Sequence, residues 1–155
     1  MKFTASLAVL ATAIVSAVSA QTGSFASFST CATYPTRLTL NSFTLSPFPM
    51  CINKTYTLTA IGNVLDPIIG GAKLAITGRY LGRLVYTDNK SLEEVLAPSG
   101  QTLPIPAGPV ALNLTILLKP NRPPNIVFAF QFYATNGDGG VLFCQSASLN
   151  GVVCP

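Results

Sequence analysis

The chain has 155 residues and a formal net charge of +4, with 49% hydrophobic and only 9% charged residues. It has no histidine, which removes the commonest general base, the Ser-His and Cys-His nucleophile pairs and the commonest zinc ligand. Its mature basic residues (Arg37, Lys54, Lys73, Arg79, Arg83, Lys90, Lys119, Arg122) are scattered, so nothing resembles a nucleic-acid-binding cluster and no nucleic-acid partner is expected.

Residues 1–20 read as a signal peptide. Lys2 supplies a positive start, residues 7–18 form an apolar run broken only by Ser and Thr, and Val18, Ser19 and Ala20 put small side chains at the cleavage positions. Residues 21–30, rich in Ser, Thr and Gly, are expected to be a flexible N-terminal arm. One domain is expected over 31–155. Cys31, Cys51, Cys144 and Cys154 all follow the leader, and an even number in an exported chain favours two disulfides. Sequons at Asn53, Asn89 and Asn113 fit a glycoprotein that has passed through a eukaryotic secretory pathway.

Beyond residue 36, strand signals dominate. Residues 37–45 are strand-like, but Leu38 and Leu40 are out of phase with Phe43 and Leu45, which predicts a bulge near Asn41 and Ser42. Residues 54–61 alternate strictly, with Tyr56, Leu58 and Ala60 opposite Thr55, Thr57 and Thr59. Residues 73–80 set Leu74, Ile76 and Tyr80 against Lys73, Thr77 and Arg79. Arg79 and Arg83, flanking Tyr80, Leu81 and Gly82, are candidates for contact with an anionic head group or membrane. Residues 89–97 have helical spacing and a helix-start signature, and Pro98 limits them to one or two turns.

Residues 110–119 set Leu112, Leu114, Ile116 and Leu118 opposite Asn113, Thr115 and Lys119, which places the Asn113 sequon on the outer face. Residues 125–134 carry Phe128, Phe130 and Phe132 on one side, and the Gly-rich segment 135–140 predicts a hairpin into a strand over 141–148. Prolines fall between these segments and mark out about seven short strands. The predicted fold class is all-β, an immunoglobulin-like two-sheet β-sandwich.

Candidates for catalysis are few. The acidic residues are Asp66, Asp88, Glu93, Glu94 and Asp138. Adjacent Glu93 and Glu94 on a short helix point apart, unlike a glycosidase pair. Asp138 sits in a Gly-rich turn, where its side chain is expected to bond local amides instead of calcium. Without CxxC spacing the cysteines read as structural bridges. No enzyme activity, catalytic residue, metal or cofactor is expected. The distinctive feature is an apolar surplus: the Phe128, Phe130 and Phe132 stripe and the Leu112 to Leu118 row either interlock as a core or line a lipid cavity.

The order of residues resembles the ML (lipid-recognition) family, which includes the Niemann-Pick type C sterol carrier and fungal phosphatidylglycerol/phosphatidylinositol transfer proteins. The landmarks are Cys31; residues 45–51 ending in Cys51, followed by the alternating strand to Ile61 and Gly62; residues 71–74; residues 103–108, where the family has Cys-Pro-Ile or similar; and residues 136–139 leading to Leu142, Phe143 and Cys144. The similarity runs from Cys31 to about Ser148. It implies a seven-stranded sandwich that takes a hydrophobic ligand between its sheets, and a Cys31–Cys144 bridge. This chain has Leu103 where the family has a cysteine, and lacks a local partner for Cys51, so Cys51–Cys154 is predicted as the second bridge.

The expected function is a lipid-binding or lipid-transfer protein for a sterol or phospholipid. Its lipid cavity is expected to be lined by Tyr56, Leu58, Leu74, Ile76, Leu112, Leu114, Ile116, Phe128, Phe130 and Phe132, with Tyr80 at the rim. The alternative is a secreted structural or host or cell-wall interaction module with a solid core. The protein is expected to be a monomer that touches membranes transiently and is released outside the cell, with a vacuolar lumen as the other destination.

Overall fold

The computed structural model of the chain describes residues 27–51, 53–119 and 126–152. The expected leader, most of the arm, Arg122 and Cys154 lie outside the described residues. Nine strands occur among them: β1 (Ser29–Thr30), β2 (Leu38–Ser46), β3 (Met50–Cys51), β4 (Thr55–Val64), β5 (Lys73–Tyr80), β6 (Arg83–Ser91), β7 (Gly108–Leu117), β8 (Ile126–Thr135) and β9 (Val141–Val152). A short helix α1 (Leu92–Leu96) and a 3-10 turn (Ala97–Ser99) connect β6 to β7.

The larger sheet has the order β1-β9-β8-β5-β6, with β3 alongside β9 in parallel, and the smaller sheet runs β2-β4-β7. The seven long strands form the immunoglobulin-like two-sheet sandwich that the alternation predicts. Period-two patterning puts one apolar row of every long strand inward. In β4, for example, Tyr56, Leu58, Ala60 and Val64 are buried between less buried neighbours.

The predicted bulge is present. Leu40 pairs with Gly62 and Ser42 with Ile61, leaving Asn41 extra. Gly62 opposite it has no room for a side chain, since a Cβ there would lie 2.1 Å from the Thr39 carbonyl oxygen. The predicted hairpin joins β8 to β9, and Asn136 in its turn is buried: its amide accepts from the Ile69 N–H at 2.8 Å and donates to the Pro67 carbonyl at 2.9 Å. The turn thereby holds the segment after β4.

Two expectations differ from the structure. Residues 89–91 belong to β6, not to a helix, because Asn89 and Ser91 pair with Ala75 and Lys73. The helix begins only at Leu92, and the Ser91 side chain makes no capping hydrogen bond. Pro109 lies inside β7 and not between strands; β7 is an edge strand with one side unpaired, where the missing N–H costs no ladder bond. In the described end of the arm, Ser29 and Thr30 pair with Ser146 and Gln145 of β9 and Phe28 packs on Phe43.

The two long sides of the sandwich are joined differently. Along one, β2 and β9 bring their backbones within 8 Å and the Arg37 N–H donates to the Val141 carbonyl at 2.8 Å; within the larger sheet, Cys31, which follows β1, is bonded to Cys144 of β9. This is the bridge that the resemblance implies. The Arg37 guanidinium also meets Asp138 of the β8–β9 turn at 2.5 Å and Asp66 at 3.6 Å. The other long side carries the edge strands β6 and β7, which no backbone ladder joins among the described residues.

The Arg37 hydrogen bond, followed by the Gly140 N–H, holds the Asp138 carboxyl below its ordinary value of 3.8. A carboxylate whose value is lowered by folding stabilises the fold above its unfolded pKa, and that contribution is lost as pH falls through the folded value. Asp138→Asn should therefore flatten the acid limb of the stability curve below about pH 4 and leave its shape near neutrality unchanged. Urea unfolding across pH 2 to 7 checks this; an unaltered acid limb would show that the pair contributes nothing.

Candidate lipid-binding interior

The interior is built from facing rows. On the smaller sheet the pairing of β4 with β7 sets Tyr56 beside Ile116, Leu58 beside Leu114 and Ala60 beside Leu112. On the larger sheet β5 meets β8, with Leu74 beside Ala134, Ile76 beside Phe132 and Gly78 beside Phe130. Gly78 matters for the last pair: a Cβ there would lie 3.2 Å from the Phe130 ring and 3.0 Å from the Tyr86 Cβ. Its bare backbone lets both rings lie over the strand, 5.7 Å apart.

Ten of the eleven residues expected at a cavity (Tyr56, Leu58, Leu74, Ile76, Leu112, Leu114, Ile116, Phe128, Phe130, Phe132) are buried, at 3% exposure or less. They belong to one continuous hydrophobic cluster. Tyr80 is set apart: it is 40% exposed at the end of β5, and its ring lies 6.2 Å from that of Phe128. That position is the outer end of the Phe128, Phe130 and Phe132 row.

The Tyr56 hydroxyl is spent inside the molecule, donating to the Cys51 carbonyl at 2.8 Å and accepting from the Cys51 N–H. Its polar atom thus fixes β3 and presents only the ring to the interior. At the β2 and β9 side the rows mesh through rings: Phe43 lies 6.0 Å from Phe132 and 5.5 Å from Phe143, and Phe28 lies 5.9 Å from Phe132.

The opposite side contains groups that the alternation rules did not single out. Tyr86 and Asp88 of β6 are buried and point inward, alternating with exposed Val85, Thr87 and Asn89. Asp88 Oδ1 accepts from the Lys119 ammonium at 2.5 Å, across the gap between the two sheets. The Lys119 N–H donates to the Tyr86 hydroxyl at 3.4 Å. Asp88 raises the Lys119 pKa above the ordinary 10.5, chiefly through that side-chain hydrogen bond. Helix α1 packs against both β6 and β7 and buries Leu92, Val95 and Leu96. The signal that could have found them is the alternation through residues 85–89, obscured because Leu84 and Val85 are apolar yet face outward.

The β5–β6 hairpin is an apolar tip with a basic border. Leu81 is 85% exposed and Leu84 is 54% exposed, with Arg79 and Arg83 beside them. Leu81 and Gly82 both have positive φ, +48° and +80°. A leucine meets a steric penalty in that region which asparagine or glycine largely avoids. Of the sequons, Asn53 and Asn89 are exposed, whereas Asn113 is half-buried on the outer face and its side-chain oxygen accepts from the Thr59 hydroxyl at 3.0 Å. Cys154, the expected partner of Cys51, lies outside the described residues; no described cysteine is free.

No protein-family model matches the chain, and no curated protein does. Among solved structures it is similar to a Niemann-Pick type C2 protein from Japanese carpenter ant, with a TM-score of 0.62 and 10% identity over 81% of this chain and 98% of that one. Chicken MD-1 complexed with lipid IVa matches with a TM-score of 0.45 and 13% identity over 79% of this chain and 96% of that one. The first of these likenesses shows that the chain has the sandwich fold of a Niemann-Pick type C2 protein.

Truncating a ring at the meshed side should be costly. Phe132→Ala removes contacts with Phe28, Phe43 and Phe130 and is expected to lower stability by about 3–5 kcal/mol in urea unfolding. A loss below about 1 kcal/mol would mean that these rings are not closely packed.

Proposed function

We propose that this chain is a secreted lipid-binding or lipid-transfer protein that holds the hydrocarbon of a sterol or phospholipid between its two sheets. The observation that carries the reading is the asymmetry of the sandwich. Two fully apolar rows face each other, closed along β2 and β9 by the Arg37 to Val141 backbone hydrogen bond and meshed rings, whereas along β6 and β7 side chains and α1 make the join. A ligand entering from that side would separate side chains without breaking a backbone hydrogen bond between the sheets among the described residues. Each methylene buried there would contribute roughly 0.8 kcal/mol. The ten buried side chains expected at the cavity are assigned as its lining, and Tyr80 as its rim.

The hairpin tip supplies a place for transient membrane contact. Exposed Leu81 and Leu84 suit insertion among acyl chains, and Arg79 and Arg83 suit anionic head groups. A solid-core recognition module is the second reading, favoured by the meshed Phe43, Phe132 and Phe143 rings.

Protein purified from its own secretions should release lipid on organic extraction and show a lipid-sized mass increment in native mass spectrometry. Failure of both, together with no binding of a fluorescent phospholipid or sterol, leaves the solid-core module. Co-sedimentation should show the protein on vesicles containing phosphatidylserine more than on pure phosphatidylcholine, and Leu81→Asp should reduce that binding at least about fivefold, since it replaces the apolar tip with a charge of the wrong sign. Unchanged sedimentation would remove the hairpin from the membrane contact.

A further inference from the structure

Asp88 is 3% exposed, lies on the inward row of β6, and uses only one carboxylate oxygen: Oδ1 pairs with Lys119, while buried Oδ2 has no hydrogen-bond partner. A buried acceptor left unpaired is unfavourable, the more so when it carries charge. Lys119 is half-exposed and reaches in from the rim, whereas Oδ2 is buried. The neighbouring inward residue Tyr86 packs edge-on against Phe130 and its hydroxyl accepts from the Lys119 N–H.

We infer that Asp88 is the polar anchor of the interior, its unpartnered oxygen accepting a hydrogen bond from the hydroxyl group of a neutral, long-chain apolar ligand. This rests on the lipid-binding reading and narrows it. Asp88 and Lys119 together carry no net charge, so a second full charge drawn in beside them would stay uncompensated in an apolar site. A carboxylate or phosphate would also be repelled by Asp88 itself. A hydroxyl costs least to strip of water and supplies the donor that Oδ2 lacks. The place fits the entry side as well, because Asp88 bridges to Lys119 across the β6 and β7 gap, where a head group would stop while its chain runs along the Phe130 and Leu114 rows.

The test compares parinaryl alcohol, its methyl ether and parinaric acid by fluorescence titration of the full mature protein. The ether keeps the chain and the oxygen but cannot donate. The alcohol is expected to bind about tenfold tighter than the ether, as for one hydrogen bond to a charged acceptor, and tighter than the acid. Asp88→Leu, of similar volume, should bring alcohol and ether within about twofold of each other, with the thermal transition recording whether the variant is folded. The ligand series on the unaltered protein decides the matter even if that variant does not fold. Equal binding of alcohol and ether overturns the anchor and leaves lipid binding intact. Tightest binding by the acid also overturns it and moves the contact to Lys119. No binding by any of the three overturns the anchor, and the lipid reading falls with it only if the organic extract and the fluorescent phospholipid and sterol are negative as well.

Discussion

Everything in this molecule depends on the two-residue repeat of its strands staying in phase across two sheets. A slip of one residue in any long strand would turn its apolar row to solvent. The register is fixed at particular points: the bulge at Asn41 lets β2 change phase without losing its partner β4, and Gly78 lets two aromatic rings share one position of β5. Asn136 binds the segment before β5 to the β8–β9 turn with two hydrogen bonds. With these in place the inward rows face each other along their length, and the low charge content of the chain becomes intelligible as the inventory of a large apolar interior.

The sandwich is unequal from side to side. Backbone and aromatic links gather where β2 meets β9, and the far side depends on a helix of one turn and one ion pair with a buried end. An isolated buried carboxylate is a poor way to stabilise a fold, since desolvation offsets much of the attraction to its partner. Placing the pair at the less tied side makes sense if the gap there has a use, and the same position gives the interior its one inward carboxylate among the described residues.

Much of the fold was legible. Strict alternation in residues 54–61, 73–80 and 110–119 identified β4, β5 and β7 and the inward side of each, and the Gly-rich run after Thr135 located the β8–β9 hairpin. The out-of-phase Leu38 and Phe43 located the bulge. What escaped was β6, an edge strand whose outward Leu84 and Val85 break the polar-out rule and whose last residues carry helical spacing. Pairing with β5 outweighed that local preference, as tertiary contacts commonly do. Missing β6 meant missing Tyr86 and Asp88. The Asp88 and Lys119 pairing joins β6 to the segment just past β7, and no local pattern announces such a meeting.

β9 has three partners: β8 along its whole length, β1 near its middle and β3 near its end. The larger sheet is therefore assembled around its latest strand in chain order, and the earliest strand waits on a partner more than a hundred residues away. A nascent chain would carry β8 without its longest partner until β9 emerges, so assembly calls for protection of its inward phenylalanine row before the sheet can close.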